Sequence, residues 1–385
     1  MNILNLGELT PERFLAEYWQ KKPLLIRQAF PDLQPVIEPD ELAGLACEED
    51  VESRLVVQSP DNDDWALRQG PFDEADFATL PPSHWTLLVQ AVDHWVPEAA
   101  ELMAQFDFIP SWRRDDLMVS YAVDGGGVGP HYDNYDVFLI QASGRRRWEI
   151  GGRFDQHSPR RKDAPVMILP EWQAEEAWTL EPGDMLYVPP QVGHNGFAIG
   201  DDCITYSVGF RAPSHGEIMR HFTDFVGERL TGEDRYRDPD LQLPERAGEI
   251  GPDAILRLRT LLERYCRDED LLGDWFGRYM TEPKYPELEQ APETPADREE
   301  LLAFLASGGS LSRNEGARLA WRRNGERWQL FADGQAYEGD ARQGPLFMSI
   351  CDGGGLDLGD ADNRDFAIDL LTALINQGVL YADEP

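Results

Sequence analysis

The chain has 385 residues, with 35 basic against 71 acidic side chains and a formal charge of −36. That length allows two or three domains and a substantial core, while the charge disfavours direct nucleic-acid binding and favours cationic partners. No run approaches the apolar length of a bilayer span, and MNILNLGELTPERF lacks a basic segment ahead of an apolar core, so no membrane association and no secretory signal are expected. Cys47, Cys203, Cys266 and Cys351 are scattered with no C-x-x-C pair, which argues for reduced thiols in the cytoplasm and against a disulfide framework or structural zinc.

Thr10-Pro11-Glu12 opens the first helix, with a Thr N-cap, Pro at the first helical position and an acidic first turn. Pro23-Leu24-Leu25-Ile26 reads as a buried strand, residues 40–46 as a short helix and 53–58 as a strand. Residues 84–106 show helical spacing through Trp85, Leu88, Val89, Val92, Trp95 and Leu102. His84 and His94 lie there without a partner pattern and read as structural.

From Asp116 the period changes to two, and 117–122, 137–141, 145–150, 185–188 and 203–210 are strand candidates. Ala142-Ser143-Gly144 reads as a compact hairpin turn, and Glu181-Pro182-Gly183-Asp184 as a turn feeding a strand. Short strands with such turns and no helices between them predict an antiparallel sandwich or barrel. After Pro213 the composition turns helical, with helices expected at 215–230, 254–266 and 270–280 and a Pro-rich linker at 281–295. The last block, with helices at 298–306 and 365–374 and strand-like pieces around 327–331, suggests a winged-helix-like module. The long apolar face within 215–280 predicts a homodimer.

The chemistry concentrates in 119–148. His131-Tyr132-Asp133 follows the Gly125-Gly126-Gly127 turn, and on extended backbone His131 and Asp133 point the same way while Tyr132 points away. One strand cannot close around an ion, and His194, in what reads as a loop between two strand-like runs, is suited to be the third ligand. Two imidazoles and a carboxylate form a facial Fe(II) site with three positions open for a chelating co-substrate and dioxygen. A 2-oxo acid would chelate there, and its far carboxylate would need a guanidinium in a dry pocket. In Gly144-Arg145-Arg146-Arg147-Trp148, Arg146 and Trp148 share one face and Arg145 and Arg147 the other, and the alternation does not choose between them.

The run Gly-Gly-Gly-Val-Gly-Pro-His131-Tyr-Asp133, the following Tyr135-Asp136-Val137-Phe138, residues 144–148 and the Gly193-His194 segment resemble the JmjC-domain ribosomal oxygenases. The resemblance is strongest to the bacterial branch that hydroxylates an arginine of a large-subunit ribosomal protein, the sixteenth in the usual naming. It implies an α+β chain: a double-stranded β-helix (cupin or JmjC jelly roll) over 1–211, a helical dimerisation region over 212–290 and a winged-helix-like domain over 291–385. It also implies Fe(II), 2-oxoglutarate and dioxygen as reactants, a basic ribosomal protein as substrate, and His131, Asp133 and His194 as metal ligands. By the same resemblance Arg146 binds the far carboxylate of 2-oxoglutarate and Ser120 supplies a further polar contact. Asp116 shares the face of Ser120 on a regular strand and is expected to hold the substrate guanidinium. The rival expectations are histidine hydroxylation, and a non-catalytic metal-binding cupin that docks a basic partner.

Overall fold

The structure, a computed structural model, describes residues 3–59, 61, 64–288, 291–353 and 361–383. It divides into two compact units, Met1–Ala212 and Pro213–Pro385. The first contains α1 (Pro11–Glu17), β1 (Leu24–Ile26), α2 (Pro39–Leu45), β2 (Ser53–Ser59), β3 (Asp64–Gln69), α3 (Glu74–Phe77), β4 (Trp85–Val89) and α4 (Pro97–Ala104). It continues with β5 (Arg114–Ala122), β6 (Val137–Ser143), β7 (Arg146–Arg153), β8 (Glu176–Leu180), β9 (Met185–Val188), β10 (Val192–Ala198) and β11 (Cys203–Phe210).

Eight strands form one antiparallel sheet in the order β1-β9-β6-β11-β5-β4-β2-β3, and β10-β7-β8 form a second. Val137, Leu139, Leu186 and Val188 of the large sheet pack against Trp148, Ile150, Leu180 and Val192 of the small one. The two sheets therefore face each other as in a double-stranded β-helix. The opposite face of the large sheet is covered by Phe14 of α1, Leu42 of α2 and Leu102 of α4, which share a core with Leu117, Phe138, Tyr187 and Tyr206. The middle of this sheet is thus covered on both faces, and β6 is buried at every residue but its last. A strand buried on both sides carries a continuous apolar run, which mimics a helix in spacing.

That ambiguity is why residues 84–106 read as helical in the sequence. Residues 85–89 form the interior strand β4, paired with β2 and β5, a short 3-10 turn follows at Val92–His94, and α-helix begins only at Pro97. Ala142-Ser143-Gly144 does not form the expected hairpin. β6 and β7 do not pair, because the turn steps from the large sheet to the small one. Gly144 sits there at φ +62°, where an added Cβ would lie 2.7 Å from the Asp202 carbonyl oxygen. Glu181-Pro182-Gly183-Asp184 makes the return step between β8 and β9.

The second unit contains α5 (His215–Arg229), α6 (Pro252–Cys266), α7 (Glu269–Met280), α8 (Arg298–Ala306), β12 (Leu311–Arg313), β13 (Leu319–Asn324), β14 (Arg327–Ala332), β15 (Gln335–Gly339), α9 (Gly344–Asp352), α10 (Ala361–Asn376) and β16 (Leu380–Ala382). β13, β14 and β15 form an antiparallel sheet, β12 pairs β16, and Leu301, Phe347, Ile368 and Leu371 centre the core. Helix α7 is tied to β13, where Arg322 donates to the Glu269 carbonyl and Asn324 to Asp270, both at 2.8 Å.

Candidate active site

Strand pairing brings the candidate ligand histidines together. His131 lies at an isolated antiparallel bridge with His194, on the edge of the small sheet. His194 is on strand β10, not in the loop expected for it, beside a register shift that follows Val192. Its two glycines, Gly193 and Gly196, weaken the strand signal. Asp133 completes the cluster, with an Oδ2 3.5 Å from His194 Nε2 and 3.9 Å from His131 Nε2. One ligand atom from each residue falls within 4.8 Å of the others, and no other such group occurs among the described residues.

The imidazoles are oriented for coordination. His131 Nδ1 lies 2.8 Å from the Gly129 carbonyl and His194 Nδ1 lies 3.1 Å from that of Val192. A ring nitrogen donating to a carbonyl carries the proton and leaves Nε2 with its lone pair for a metal. Burial, reinforced by the neighbouring His131, pushes the His194 pKa down to about 4, so at neutral pH that ring is uncharged. Three hard and borderline donors on one side of a cation suit a divalent first-row metal.

The triad opens into a cavity of about 340 Å³ lined also by Ser120, Tyr135, Leu139, Arg146, Trp148 and Thr205. Arg146 is buried, and its Nη2 donates to the Gly196 carbonyl at 3.2 Å. Its Nε and Nη1 have no acceptor among the described residues. Burial pushes its pKa down, against a raising influence from Cys203. A dry guanidinium with idle donors lacks an anion, and a carboxylate has the matching shape. The alternation that left β7 undecided is resolved by burial: Arg146 and Trp148 face inward, while Arg147 pairs with Glu149.

Ser120 lines the cavity beside its cross-strand neighbour Thr205. Its hydroxyl lies 3.4 Å from the Thr205 carbonyl. Asp116 is buried and is not among the lining residues. Its Oδ2 accepts from Gln90 Nε2 at 2.6 Å and from the Ala91 amide at 3.0 Å. Gln90 in turn accepts from Arg54, which lines the cavity. Sequence reasoning passed over Arg54, Met118, Thr205 and Ser207, all of them lining residues, and gave Tyr135, which also lines the cavity, no role of its own. Met118 was reachable, since it stands between Asp116 and Ser120 on the same face of β5. Arg54 was not, because β2 reaches the cavity only through sheet pairing. His84 lines a separate open cavity of about 670 Å³ whose lining does not include the triad.

Residues 101–218 match the JmjC domain family, and residues 261–381 match the ROXA-like winged helix. The ribosomal protein uL16 3-hydroxylase of Escherichia coli is 38% identical over 374 residues, 96% of each chain. A probable ribosomal oxygenase of Haemophilus influenzae is 34% identical, covering 92% of this chain and 90% of its own. Among solved structures, the Escherichia coli ribosomal oxygenase YcfD in complex with cobalt and 2-oxoglutarate superposes with a TM-score of 0.87 at 34% identity over 100% of both chains. A JmjC β-helix carrying a His-Asp-His cluster, joined to a ROXA-like winged helix and matched to these relatives from end to end, establishes that the chain belongs to the JmjC-domain ribosomal oxygenases.

Proposed function

We propose that this protein hydroxylates an arginine side chain of a large-subunit ribosomal protein, the sixteenth, using Fe(II), 2-oxoglutarate and dioxygen. The observation that carries the reading is one cavity holding both the His131, Asp133 and His194 cluster and the idle donors of Arg146. Fe(II) and 2-oxoglutarate, when bound, let dioxygen deliver one oxygen atom into a substrate C–H bond, with succinate and carbon dioxide as the other products. His131, Asp133 and His194 hold the metal from one side. Arg146 anchors the far carboxylate of the co-substrate, and Ser120 adds a hydroxyl beside it. Leu139, Val137 and Trp148 give the cavity apolar walls, which strengthen the charge interactions beside them.

For the substrate guanidinium we assign Asp116, acting with Gln90. Ser120 and Met118 pair across the sheet with Thr205 and Ser207, and all four line the cavity. Asp116 lies two residues beyond Met118 on β5, where the register with β11 shifts between Val208 and Phe210, and an added Cβ on Gly209 would lie 3.6 Å from Asp116 Oδ1. That places the carboxylate at the Met118 end of the row. D116N is expected to raise KM for an arginine peptide about ten-fold while 2-oxoglutarate binding is retained.

The net charge of −36 speeds encounter with a basic ribosomal protein and speaks against direct nucleic-acid contact. No helix among the described residues is long and apolar enough to cross a membrane, and a cytoplasmic site of action is part of the proposal. So is a homodimer through the helices of 212–290, with the winged-helix-like domain following in 291–385. α6 has no buried side chain, yet Ile255, Leu256, Leu258 and Leu262 are 46–56% exposed. The deciding assay incubates iron-loaded protein with 2-oxoglutarate and a ribosomal peptide containing both arginine and histidine. One oxygen mass on arginine supports the reading, the same mass on histidine moves it to the rival target, and no 2-oxoglutarate consumption overturns it.

A further inference from the structure

Two buried side chains in the catalytic cavity hold hydrogen-bond donors with nothing to donate to, and they sit on one strand. Arg146 has idle Nε and Nη1 atoms, and the Trp148 indole Nε1 is likewise without an acceptor among the described residues. Both residues are buried, at 3% and 5% exposure, and both line the cavity. An orphaned indole N–H alone would mean little, since Trp328 in the second unit has one too. What sets Trp148 apart is its position.

On the small sheet Arg146 stands opposite Ala198, Trp148 opposite Gly196 and Ile150 opposite His194. Same-face neighbours on a strand are about 6.6 Å apart, so Trp148 occupies the rung between the guanidinium and the metal-side imidazole. Its ring confirms this from both directions. The Arg146 guanidinium carbon lies 5.1 Å from the indole centroid, and the His194 ring centroid lies 5.9 Å from it. The facing position is Gly196, where an added Cβ would come within 2.5 Å of the Trp148 ring. Only a residue without a side chain lets the indole lie flat there.

We propose that the Trp148 indole N–H is a second donor to the far carboxylate of 2-oxoglutarate, beside Arg146. The inference rests on the reading of this cavity as a 2-oxoglutarate site. A dicarboxylate running from the triad to Arg146 passes the Trp148 ring, and its terminal carboxylate has more acceptor sites than one guanidinium fills. The stack of guanidinium on indole holds both donors in one orientation before the ligand arrives, so little order remains to be imposed on binding. Trp148 is in this sense a positioning residue: it sets where the carbon chain lies relative to the metal ligands.

The test uses the full-length protein loaded with Zn(II), a diamagnetic ion that accepts the same ligands, and labelled with 15N at its 11 tryptophans. W148F identifies the Trp148 indole cross-peak. Addition of 2-oxoglutarate is expected to move that peak downfield, succinate to move it the same way, and pyruvate, which lacks the far carboxylate, to leave it in place. The Trp328 peak serves as the unmoved control. In calorimetry W148F is expected to bind 2-oxoglutarate about ten-fold more weakly than the parent protein, the loss of one hydrogen bond to a charged group. A Trp148 peak unmoved by saturating 2-oxoglutarate overturns the inference while leaving the site intact, and so does unchanged affinity in W148F. Absence of 2-oxoglutarate binding to the parent protein overturns both this inference and the reading beneath it.

Discussion

His131 and His194 are joined backbone to backbone, the amide of His131 donating to the carbonyl of His194 at 2.9 Å and the reverse bond measuring 2.8 Å. Their ring centroids are 4.2 Å apart. The two imidazoles are therefore held in register by main-chain bonds that do not depend on a metal, and Asp133 follows His131 on the same extended segment. Binding of a cation to such a site carries little ordering cost.

Removal of a ligand should then cost metal affinity and not the fold. H131A and D133A are each expected to weaken cobalt binding at least about 100-fold, beyond the range seen for groups that merely orient a ligand. Hydroxylation should be lost with it. The check is a cobalt titration followed by visible absorption, beside circular dichroism. Loss of secondary structure in either variant would contradict a site built on backbone pairing.

Arg146 is a different case, because it is costly when the cavity holds no anion. R146M replaces a buried charge with idle donors by an apolar chain of similar length. The ligand-free variant is expected to be more stable than the parent by about 1–3 kcal/mol. The parent should gain about 2.7 kcal/mol at a 2-oxoglutarate concentration of a hundred times Kd, and R146M should gain nothing. Thermal denaturation with and without 2-oxoglutarate reads both. A ligand-free R146M less stable than the parent would show that the guanidinium is not under-satisfied.

On α6, Ile255, Leu258 and Leu262 are 48%, 46% and 51% exposed and recur at helical spacing on one face. The double change Leu258→Asp and Leu262→Asp should convert a dimer into a monomer of unchanged helicity. Light scattering at micromolar concentration measures this. A parent protein already monomeric there would remove the dimer from the proposal.

Asp333 gives a pH dependence with a definite sign. It occupies the two-residue turn between β14 and β15 at φ +41° and accepts from the Arg318 amide at 2.8 Å. Burial outweighs that bond and raises its pKa to about 6. The folded state therefore prefers the protonated acid, a contribution fully present below the unfolded value near 3.8 and lost as pH rises through 6. D333N keeps an acceptor for the amide and makes an Asn-Gly turn, which suits positive φ. It should stabilise by about 1–2 kcal/mol at pH 7.5, allowing for the partly open site, with the gain vanishing towards pH 4. A gain that is flat across this range would refute the assignment to charge burial.

Several features were readable from local chemistry alone. The Thr10 cap, with its hydroxyl accepting from the Arg13 amide, and the period-two run from β5 onward follow from bonds and spacings within a few residues. The side-chain parity of His131 and Asp133 follows in the same way. Trp85 to Val89 reads as helix because β4 is an interior strand: with both faces covered, its apolar run has no alternation left to show. His194 is readable as a candidate ligand, but its strand is hidden by two glycines.

By itself the sequence determined which residues could coordinate a metal, where turns fall, and what charge the surface carries, since each depends on side-chain type and near neighbours. Only the tertiary structure decided which arginine faces inward, that β6 and β7 lie in different sheets, and that His194 returns to lie against His131. These outcomes depend on burying two sheet faces at once, a free energy summed over residues far apart in the chain that no local window contains.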